Sequence, residues 1–521
     1  MREEKVLRLA KPVKKGLLHL VFSRFLIIFL LMVMQVLLLA GAFQRLGAYI
    51  PYLTVLQTLF TIGMIIYLFN ISMDSSAKLT WMLIIAVVPL PGTALLFFTK
   101  ADWGHRRVKA RVDELIGSTR DAIPQPPGVL DRLNDGSGTD DLAFYMHRSG
   151  CFPIYDGSEA TYFPLGEDKF AALLEELEKA EKFIFLEYFI IEEGYMWGKV
   201  LEILTRKAAQ GVEVRVLYDG MCELFHLPVR YVRLLESQGL KAKIFSPIRP
   251  VVSSHYNYRD HRKILVIDGK VAFTGGVNLA DEYINRVEYF GHWKDTAVMV
   301  KGRAVKSFTL MFLQMWNIDE PEPEFSRWLT DPGAVPEHFS GYVMPFGDCP
   351  LDEDRVGESV YIDILYRAND YVHIMTPYLI LDGEMEAALL YAAQRGVDVK
   401  LILPGIPDKK GAYALAKSHY ARLLASGVEL YEYTPGFVHA KVFVSDNKKA
   451  VVGTINLDYR SLYHNFECAC YLYKTACIPN IEADFQATLA QCRKVTNESV
   501  AREKVFYKVV GRLLKFIAPL M

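Results

Sequence analysis

Two copies of one short pattern carry the residues of this 521-residue chain that are best suited to chemistry. The segments HRKILVID and HAKVFVSD both have the spacing His-x-Lys-x4-Asp, and each is followed at the same distance by Gly-x-x-Asn. One such pattern is a weak motif, but a second copy with the same extension indicates a single site built from two similar parts. The two triads are His261, Lys263 and Asp268 in the first copy and His439, Lys441 and Asp446 in the second.

These residue types are the ones that phosphoryl transfer requires. Apolar residues alternate along each copy, which predicts a buried strand, and positions two apart on a strand share a face. Each histidine therefore points the same way as its own lysine, and two such strands side by side would surround an anion with two imidazoles and two ammonium groups. One neutral histidine would attack phosphorus while the other, protonated, would protonate the leaving oxygen.

The paired signatures resemble those of the phospholipase D superfamily, and the likeness to its bacterial cardiolipin synthase branch covers nearly the whole chain from about residue 46 onward. Supporting stretches are MTPYL, AAQRGVDVKLILP and GTINLDYRSLYHNFE, which begin at Met375, Ala392 and Gly453. One departure occurs where the second copy has Thr454 and the first has Gly276, because the family often offers a hydroxyl to phosphate at this position.

The resemblance implies a phosphatidyltransferase that converts two phosphatidylglycerol molecules into cardiolipin and glycerol through a phosphatidyl-histidine intermediate, with no cofactor and no metal. In this expectation His261 attacks the first lipid, and His439 protonates the departing glycerol and then activates the second lipid. An acid after each signature would orient a histidine: Asp295 would serve His261, and Glu467 would serve His439. The residues expected to hold phosphate oxygens are Lys263, Lys441, Asn278, Asn456, Thr454 and Gly276.

The two signature aspartates lie at predicted strand ends, in Asp268-Gly269 and Asp446-Asn447. Carboxylates at such turns commonly bind backbone amides. The family signature includes both aspartates in the catalytic set, but their placement favours structural support over proton transfer.

The elements that position the signatures also occur twice, about 180 residues apart. Residues 183–191 and 371–379 have strand patterns, and helices ending at Gln210 and Gln394 are each followed by a glycine and another strand. A βαβαβ order favours a parallel sheet with helices on its faces. The sequence therefore predicts an α/β fold of two pseudo-two-fold-related phospholipase D-like domains, each a mostly parallel sheet flanked by helices, plus an N-terminal transmembrane helical segment.

Composition divides the chain into six predicted parts. Residues 1–100 form a transmembrane anchor of two or three apolar helices, 101–160 a linker, and 161–320 the first catalytic half. A connector at 321–340 leads to the second half at 341–498, and residues 499–521 form a basic amphipathic helix. The sequence does not decide whether that last helix lies on an anionic leaflet or packs on the domain.

Three apolar stretches, 25–43, 46–73 and 79–99, each have about the 20 residues that cross a bilayer. Basic residues precede the first stretch and follow the third, so three complete crossings would break the positive-inside rule at one end. Either the rule is broken or one stretch is interfacial or re-entrant. We expect a multi-pass protein of the inner (cytoplasmic) membrane, with its catalytic part on the cytoplasmic side.

Composition also bears on the partners. The net charge of −1 lacks the basic excess of a polyanion-binding protein, which argues against nucleic acid as a partner and against a nuclease. The 51% hydrophobic content points to membrane association. The seven cysteines form no metal-ligand pattern and are expected to be reduced, buried thiols. The expected partners are phosphatidylglycerol, cardiolipin and the bilayer, and homo-oligomerisation stays open.

Two other functions share the signature. A hydrolytic phospholipase D, or another phosphatidyltransferase, would use water or a different alcohol and would differ only in the acceptor pocket. A non-catalytic membrane lipid-binding scaffold would retain the fold, but both histidines, both lysines and both acids are present, which argues against lost activity. The remaining alternative is ordinary surface residues on hairpins, which gives no reason for polar residues to recur at fixed spacing in apolar strands.

Overall fold

Two similar α/β halves, each built around one signature strand, form the main body of the protein. The computed structural model describes residues 6–10, 33, 34, 37, 50–100, 105–150, 152–247, 258–329, 339–352 and 354–520.

Helices precede the first half. The apolar stretch 46–73 contains α1, the stretch 79–99 is divided between α2 and α3 by a break before Pro89, and the stretch 25–43 lies almost wholly outside the described residues. In the described part of the chain, no helix combines the length and the apolar character that a membrane crossing needs. The helices are α1 (Ile50–Asn70), α2 (Ser75–Val87), α3 (Pro89–Lys100), α4 (His105–Thr119), α5 (Val129–Leu133) and α6 (Thr139–Gly150).

The segment predicted as a linker contains more regular structure than its Pro and Gly content indicated. Helices α4, α5 and α6 lie within it, and β1 (Ser158–Phe163) begins before its predicted end. Val112, Leu142 and Met146 are buried in the main hydrophobic cluster of the protein. Burial of apolar side chains at helical spacing therefore overrides the local turn residues.

The first half follows with strands and helices in alternation. Its elements after β1 are α7 (Gly166–Glu178), β2 (Phe183–Tyr188), α8 (Tyr195–Ala209), β3 (Glu213–Asp219), α9 (Met221–Phe225), α10 (Tyr231–Ser237), β4 (Lys241–Phe245), β5 (Arg259–Asp260), β6 (Lys263–Ile267), β7 (Val271–Gly275), β8 (His292–Lys294), β9 (Ala297–Gly302) and α11 (Val305–Trp316).

The second half repeats this order. Its elements are β10 (Tyr342–Asp348), α12 (Val356–Arg367), β11 (Tyr371–Met375), α13 (Gly383–Gln394), β12 (Asp398–Pro404), α14 (Lys410–Ala425), β13 (Glu429–Tyr433), β14 (Gly436–Val438), β15 (Val442–Ser445), β16 (Lys449–Gly453), α15 (Tyr459–Tyr463), β17 (Asn465–Tyr473), α16 (Ile478–Leu489), β18 (Cys492–Lys494), α17 (Asn497–Arg502) and α18 (Val505–Ile517).

Each half contains a mixed sheet rather than the mostly parallel sheet that the sequence predicted. The strand orders are β1-β9-β7-β6-β2-β3-β4 and β10-β17-β16-β15-β11-β12-β13-β18. Only β2-β3-β4 and the equivalent β11-β12-β13 run parallel within them. The signature strand and the next strand are joined by a turn that is too short for a crossover, so they pair antiparallel.

Alternation along the signature strand divides its apolar side chains between two cores. Ile264 and Val266 of β6 belong to the cluster that both halves share, while Leu265 and Ile267 pack in the cluster that includes the helices of the first half. All four side chains are buried, so the strand is held on both faces. This rigid strand fixes the position of Lys263 at its start.

Two short parallel strand pairs join the halves directly. β5 pairs with the start of β17, and β14 pairs with β8. Each pair connects the segment just before one signature histidine to the segment just before the acid of the other half. Backbone hydrogen bonds therefore join the two halves beside both histidines.

Candidate active site

His261 is fixed by the second half of the chain. Its amide donates to the carbonyl of Phe466 at 2.9 Å, which continues the pairing of β5 with β17. The next residue is Glu467, and its Oε2 lies 2.8 Å from Nδ1 of His261. Because an ionised carboxylate only accepts hydrogen bonds, Nδ1 carries the proton in this pair and Nε2 keeps its lone pair.

His439 is fixed in the same way by the first half. Its amide donates to the carbonyl of Lys294 at 2.7 Å, which continues the pairing of β14 with β8. Asp295 follows Lys294, and its Oδ2 lies 2.6 Å from Nδ1 of His439. Both histidines thus direct Nε2 away from a buried carboxylate.

The pairing of acids and histidines predicted from the sequence is wrong. Asp295 was assigned to His261 and Glu467 to His439, because each acid follows the signature of its own half. The strand pairs between the halves instead bring each acid beside the histidine of the other half. Neither histidine is oriented by its own half alone, so the site is complete only when the halves are packed together.

The two signature lysines are buried and turn back toward the histidines. Nζ of Lys263 donates to the carbonyl of His261 at 2.6 Å, and Lys441 makes the equivalent bond to the carbonyl of His439. Burial lowers the pKa of Lys263 to about 8 and that of Lys441 to about 7. A bound anion would favour the charged form of both groups, so these lysines suit an anionic substrate.

Burial also lowers the pKa of both histidines. It holds the pKa of His261 well below its usual value, and the charges of Lys263 and Lys441 lower it further. Burial and the charge of Lys441 lower the pKa of His439 to about 3, against the opposing effect of Asp295. Both imidazoles are therefore neutral near pH 7. Because Lys263 and Lys441 affect both rings, the four groups belong to one site.

The two orienting acids differ in their ionisation. Burial raises the pKa of Glu467 to about 7, although Lys263 opposes this rise. Burial acts in the same direction on Asp295, but His439 and Lys441 outweigh it, so the pKa of Asp295 lies below its usual value. Asp295 therefore stays ionised beside His439, which favours a proton on that ring more than Glu467 does on His261.

The first half has Gly276 where the second has Thr454, and this exchange matches the difference in length between Asp295 and Glu467. A Cβ at Gly276 would lie 2.0 Å from Oδ1 of Asp295, so this carboxylate occupies the space of a side chain. At the equivalent position, Thr454 donates its hydroxyl to Oε2 of Glu467. Because aspartate is one methylene shorter than glutamate, the carboxylate of Asp295 lies directly against the backbone of Gly276. Gly276 thus leaves space for Asp295, and Thr454 holds Glu467, while phosphate binding by these two residues stays a prediction.

The two signature asparagines also have different surroundings. Oδ1 of Asn278 accepts the amide of Ile190 at 3.0 Å, and its Nδ2 donates to the hydroxyl of Tyr283 at 2.8 Å. Asn456 is buried, and its Oδ1 has no partner among the described residues. Asn278 therefore supports the wall of the site, whereas Asn456 keeps an acceptor for a ligand.

The signature aspartates contact the backbone and not the histidines. Asp268 accepts the amides of Glu181, Lys182 and Phe183 at 2.7 to 2.8 Å. Asp446 accepts three amides at the same place in the second half, from Asn369, Asp370 and Tyr371. Both aspartates have a left-handed backbone, with φ of 55° and 53°. This geometry agrees with structural support at the entry to β2 and β11.

Aromatic rings form a wall that sequence reasoning missed. The ring of Phe189 lies 4.9 Å from that of His261, and Tyr283, Trp293 and Phe437 lie 5.5, 5.3 and 6.0 Å from His439. Trp293 and Phe437 lie in the short strands β8 and β14, and the other two rings lie in connections. The four share no repeated spacing, so no motif identified them. They leave only 7% of His261 and 8% of His439 exposed, which restricts access of water.

A cleft opens beside this wall. It encloses about 300 Å³, including its mouth, and Phe437 lines it on the side of His439. Tyr378 and Lys409 also line it: Nζ of Lys409 lies 3.3 Å from the hydroxyl of Tyr378, which donates to Asp408 at 2.6 Å. The charge of Lys409 contributes to the lowered pKa of His261, so the cleft adjoins the histidines.

One acidic cluster in the described part of the chain has metal-ligand spacing. Carboxylate oxygens of Glu358, Asp382 and Glu384 lie within 4.8 Å of one another. Asp382 caps α13 through the amide of Met385 at 2.8 Å, and Arg355 lies 3.4 Å from Glu358. Burial, together with Asp382, raises the pKa of Glu358 to about 9. The raised pKa keeps Glu358 protonated near neutral pH, which lowers the negative charge of this cluster beside Arg355.

The fold and the duplicated histidine-lysine site define a protein of the phospholipase D-like class. The crystal structure of phosphatidylserine synthase from Haemophilus influenzae Rd KW20 shares the fold, with a TM-score of 0.56 and 14% identity over 73% of this chain and 97% of that chain. The family described as "Cardiolipin synthase, PLD-like domain" matches residues 173–316 and 361–489. This chain belongs to that family, as its motifs predicted.

Sequence relatives agree with this assignment. A protein of Alkalihalophilus pseudofirmus named cardiolipin synthase is 32% identical over 90% of this chain and 94% of its own length. A cardiolipin synthase of Halalkalibacterium halodurans is 31% identical over 95% of this chain and 99% of its own. An uncharacterized protein of Streptococcus mutans serotype c is 56% identical over 88% of this chain and 100% of its own.

Proposed function

We propose that this chain is a cardiolipin synthase, which transfers the phosphatidyl group of one phosphatidylglycerol to the terminal hydroxyl of a second and releases glycerol. The observation that carries this proposal is the pair of histidines, each held through Nδ1 by a buried carboxylate with Nε2 left free. The family assignment and the relatives named cardiolipin synthase support the choice of lipid. One phosphodiester replaces another, so the reaction needs no nucleotide.

In the first step, Nε2 of His261 attacks the phosphorus of the donor lipid. A P–N bond forms, the P–O bond to the headgroup glycerol breaks, and His439 gives a proton to the departing oxygen. Lys263 and Lys441 neutralise the non-bridging oxygens. The negative charge of the substrate raises the proton affinity of His439, which makes this ring a competent acid once lipid is bound.

In the second step, His439 removes the proton from the terminal hydroxyl of the acceptor lipid. That oxygen attacks phosphorus, the P–N bond breaks, and its electron pair returns to His261. The aromatic wall keeps water from the intermediate, so transfer to the second lipid outcompetes hydrolysis.

The difference between the acids supports this assignment of the two roles. His439 is paired with Asp295, whose lowered pKa keeps it ionised, so His439 is the ring that more readily gains a proton. His261 is paired with Glu467, whose raised pKa of about 7 leaves it partly protonated near neutral pH, so it stabilises an imidazolium less than Asp295 does. His261 thus stays neutral and nucleophilic.

We place the acceptor lipid at the mouth of the cleft lined by Tyr378, Lys409 and Phe437. Phosphatidylglycerol carries its own phosphate on the opposite end of the headgroup glycerol from the attacking hydroxyl. Lys409 at the cleft supplies a positive charge for that phosphate, and Oδ1 of Asn456 supplies an acceptor for a headgroup hydroxyl. The apolar lining suits the glycerol backbone of a lipid.

We place this reaction at the cytoplasmic membrane, on its inner face, with the apolar stretches before residue 100 as the anchor. Both substrates and the product are membrane lipids, and these stretches are uncharged over about the 20 residues that a crossing uses. The flanking basic residues favour the cytoplasmic side for the catalytic halves.

The test uses the purified full-length chain with phosphatidylglycerol vesicles and mass spectrometry of the products. We expect cardiolipin and glycerol in equal amounts, and none from His261→Ala or His439→Ala. Phosphatidic acid in place of cardiolipin would make the protein a hydrolase. Unchanged product formation by the double variant would show that the histidines do not act, whereas lipid binding without any product from the parent chain would leave a lipid-binding scaffold.

A further inference from the structure

The last helix of the chain carries an exposed apolar stripe. On α18, the exposed fractions of Phe506, Val509 and Leu513 are 63%, 50% and 67%. These positions recur at intervals of three and four residues, so they lie on one side of the helix. Val505 and Phe516, which are 73% and 39% exposed, extend the same stripe at both ends.

The opposite side of α18 packs against α14, so the exposed stripe is not the side of the helix that belongs in the core. A Cβ at Gly511 would lie 2.2 Å from the carbonyl oxygen of Ala414, which means that α18 and α14 approach closely at this glycine. The rings of Tyr507 and Tyr413 lie 5.6 Å apart along the same contact. The orientation of α18 is therefore fixed, and its stripe faces outward.

The charges of α18 are of one sign. The segment from Lys504 to the end of α18 contains no acidic residue. The side chains of Lys504, Arg512 and Lys515 are exposed beside the stripe. An apolar stripe flanked by basic side chains fits the headgroup region of an anionic leaflet, since the stripe enters the acyl boundary while the cations remain at the phosphates.

Exposed apolar side chains also occur on α2, which contacts the end of α18. The hydroxyl of Thr80 in α2 donates to the carbonyl of Phe516 at 2.7 Å, so α2 contacts the end of α18. Leu79, Leu83 and Val87 of α2 are also exposed, by 68%, 50% and 64%. The two helices thus bring apolar side chains from both ends of the chain to one part of the surface.

We infer that α18 is a docking helix for an anionic lipid surface, and that it holds the catalytic halves against the leaflet that contains the substrate. α14 connects this helix to the cleft, because Tyr413 lines the cleft and also contacts Tyr507. Lipid binding by α18 takes place away from the histidines and is measured without the reaction, whereas its effect on KM rests on the proposed function.

Fluorescence of the full-length chain in nanodiscs tests this inference. An environment-sensitive dye is attached to Phe506→Cys, and the emission is compared between phosphatidylcholine discs and discs that also contain phosphatidylglycerol. The parent chain, with its own cysteines, gives the background. We expect a blue shift and quenching by lipid-bound quenchers only with the anionic lipid. The matched control is Val229→Cys, which is 75% exposed in the first half and should keep a water-like emission.

Charge and stripe variants separate docking from catalysis. Lys504→Glu with Arg512→Glu should abolish the blue shift, and Leu513→Ser should raise the apparent KM for phosphatidylglycerol vesicles severalfold while kcat in detergent-dispersed lipid is unchanged. Val229→Ser is the matched control for Leu513→Ser. Water-like emission in both kinds of disc would overturn the inference. A blue shift that persists in detergent together with a doubled mass would also overturn it, because a second copy would then cover the stripe.

Discussion

Each signature histidine shares its Nδ1 proton with a carboxylate from the opposite half of the chain. The acids are unequal, and so are the residues behind them: Asp295 lies against Gly276, while Glu467 receives the hydroxyl of Thr454. This inequality breaks the symmetry of the two halves. It gives a physical basis for one histidine to act as nucleophile and the other as acid.

Substitution of the acids should separate the two roles. Asp295→Asn should impair protonation of the leaving group by His439, and Glu467→Gln should impair attack by His261, each lowering turnover of phosphatidylglycerol by about 10² to 10⁴-fold. With a p-nitrophenyl phosphodiester, whose leaving group needs no acid, Asp295→Asn should lose much less activity than Glu467→Gln. Equal losses on both substrates, or the reverse order, would contradict the assignment.

Because Gly276 and Asp295 fit each other, the effects of substituting both residues on kcat should not be additive. Gly276→Thr alone should displace Asp295, because a Cβ there would meet its carboxylate, and should reduce activity about 10²-fold or more. Adding Asp295→Glu recreates the Thr–Glu pair of the second half and should recover part of that loss. A double-variant cycle on kcat measures the coupling. Strict additivity of the two losses would show that the residues do not compensate.

The lysines predict how anion binding depends on pH. With pKa values of about 8 and 7, Lys263 and Lys441 are charged below these values and neutral above them. A bound phosphodiester favours the charged forms, so binding takes up protons and affinity should fall as pH rises through 7 to 9. Titration with glycerophosphoglycerol, whose charge is constant in this range, measures the slope. Lys441→Met should weaken binding and flatten the slope, whereas an unchanged slope would exclude Lys441.

At the scale of the elements, the turns after the signature strands hold the parallel part of each sheet. Asp268 and Asp446 each accept three amides at the entry to β2 and β11. The first aspartate is buried, whereas the bonds of the second to Asn369 and Asp370 are exposed to solvent. Water can replace the second set of bonds more easily than the first.

Substitution of the two aspartates should therefore lower the free energy of unfolding by different amounts. Asp268→Ala should lower the free energy of unfolding by about 3 kcal/mol, since three amides at the start of a buried strand lose their acceptor. Asp446→Ala should cost less, and the folded fraction of each variant should keep most of its activity per molecule. Denaturant titration with parallel assays measures both quantities. Loss of activity without loss of stability would assign the aspartates to the chemistry.

Local patterns predicted individual elements well but not the way in which they pair. The alternation in HRKILVID predicted β6, and the glycines after α8 and α13 correctly marked the ends of those helices, where Gly211 and Gly396 have φ of 91° and 93°. The direction of β7 and β9 was not predicted, because a turn length decides it and not the strand pattern. The helices α4 to α6 were missed because their stability comes from burial in a distant core.

At the scale of the whole molecule, the duplicated signature was sufficient to predict a single site shared by two halves. It could not reveal that the acids are exchanged, since Asp295 is closer in sequence to His261 than to His439. That exchange depends on β5 and β14, which are two and three residues long and have no distinctive pattern. The aromatic wall and the cleft likewise come from segments that are brought together only by the packing of the halves.

The most direct test is rapid quenching of the full-length chain in neutral denaturant during turnover of phosphatidylglycerol, because acid would hydrolyse a P–N bond, followed by mass spectrometry of its peptides. We expect a phosphatidyl group on His261, absent from His261→Ala, and cardiolipin as the product when a second lipid is present. Cardiolipin formed at a normal rate with neither His261 nor His439 ever modified would contradict the claim that the two halves act together on one lipid phosphodiester.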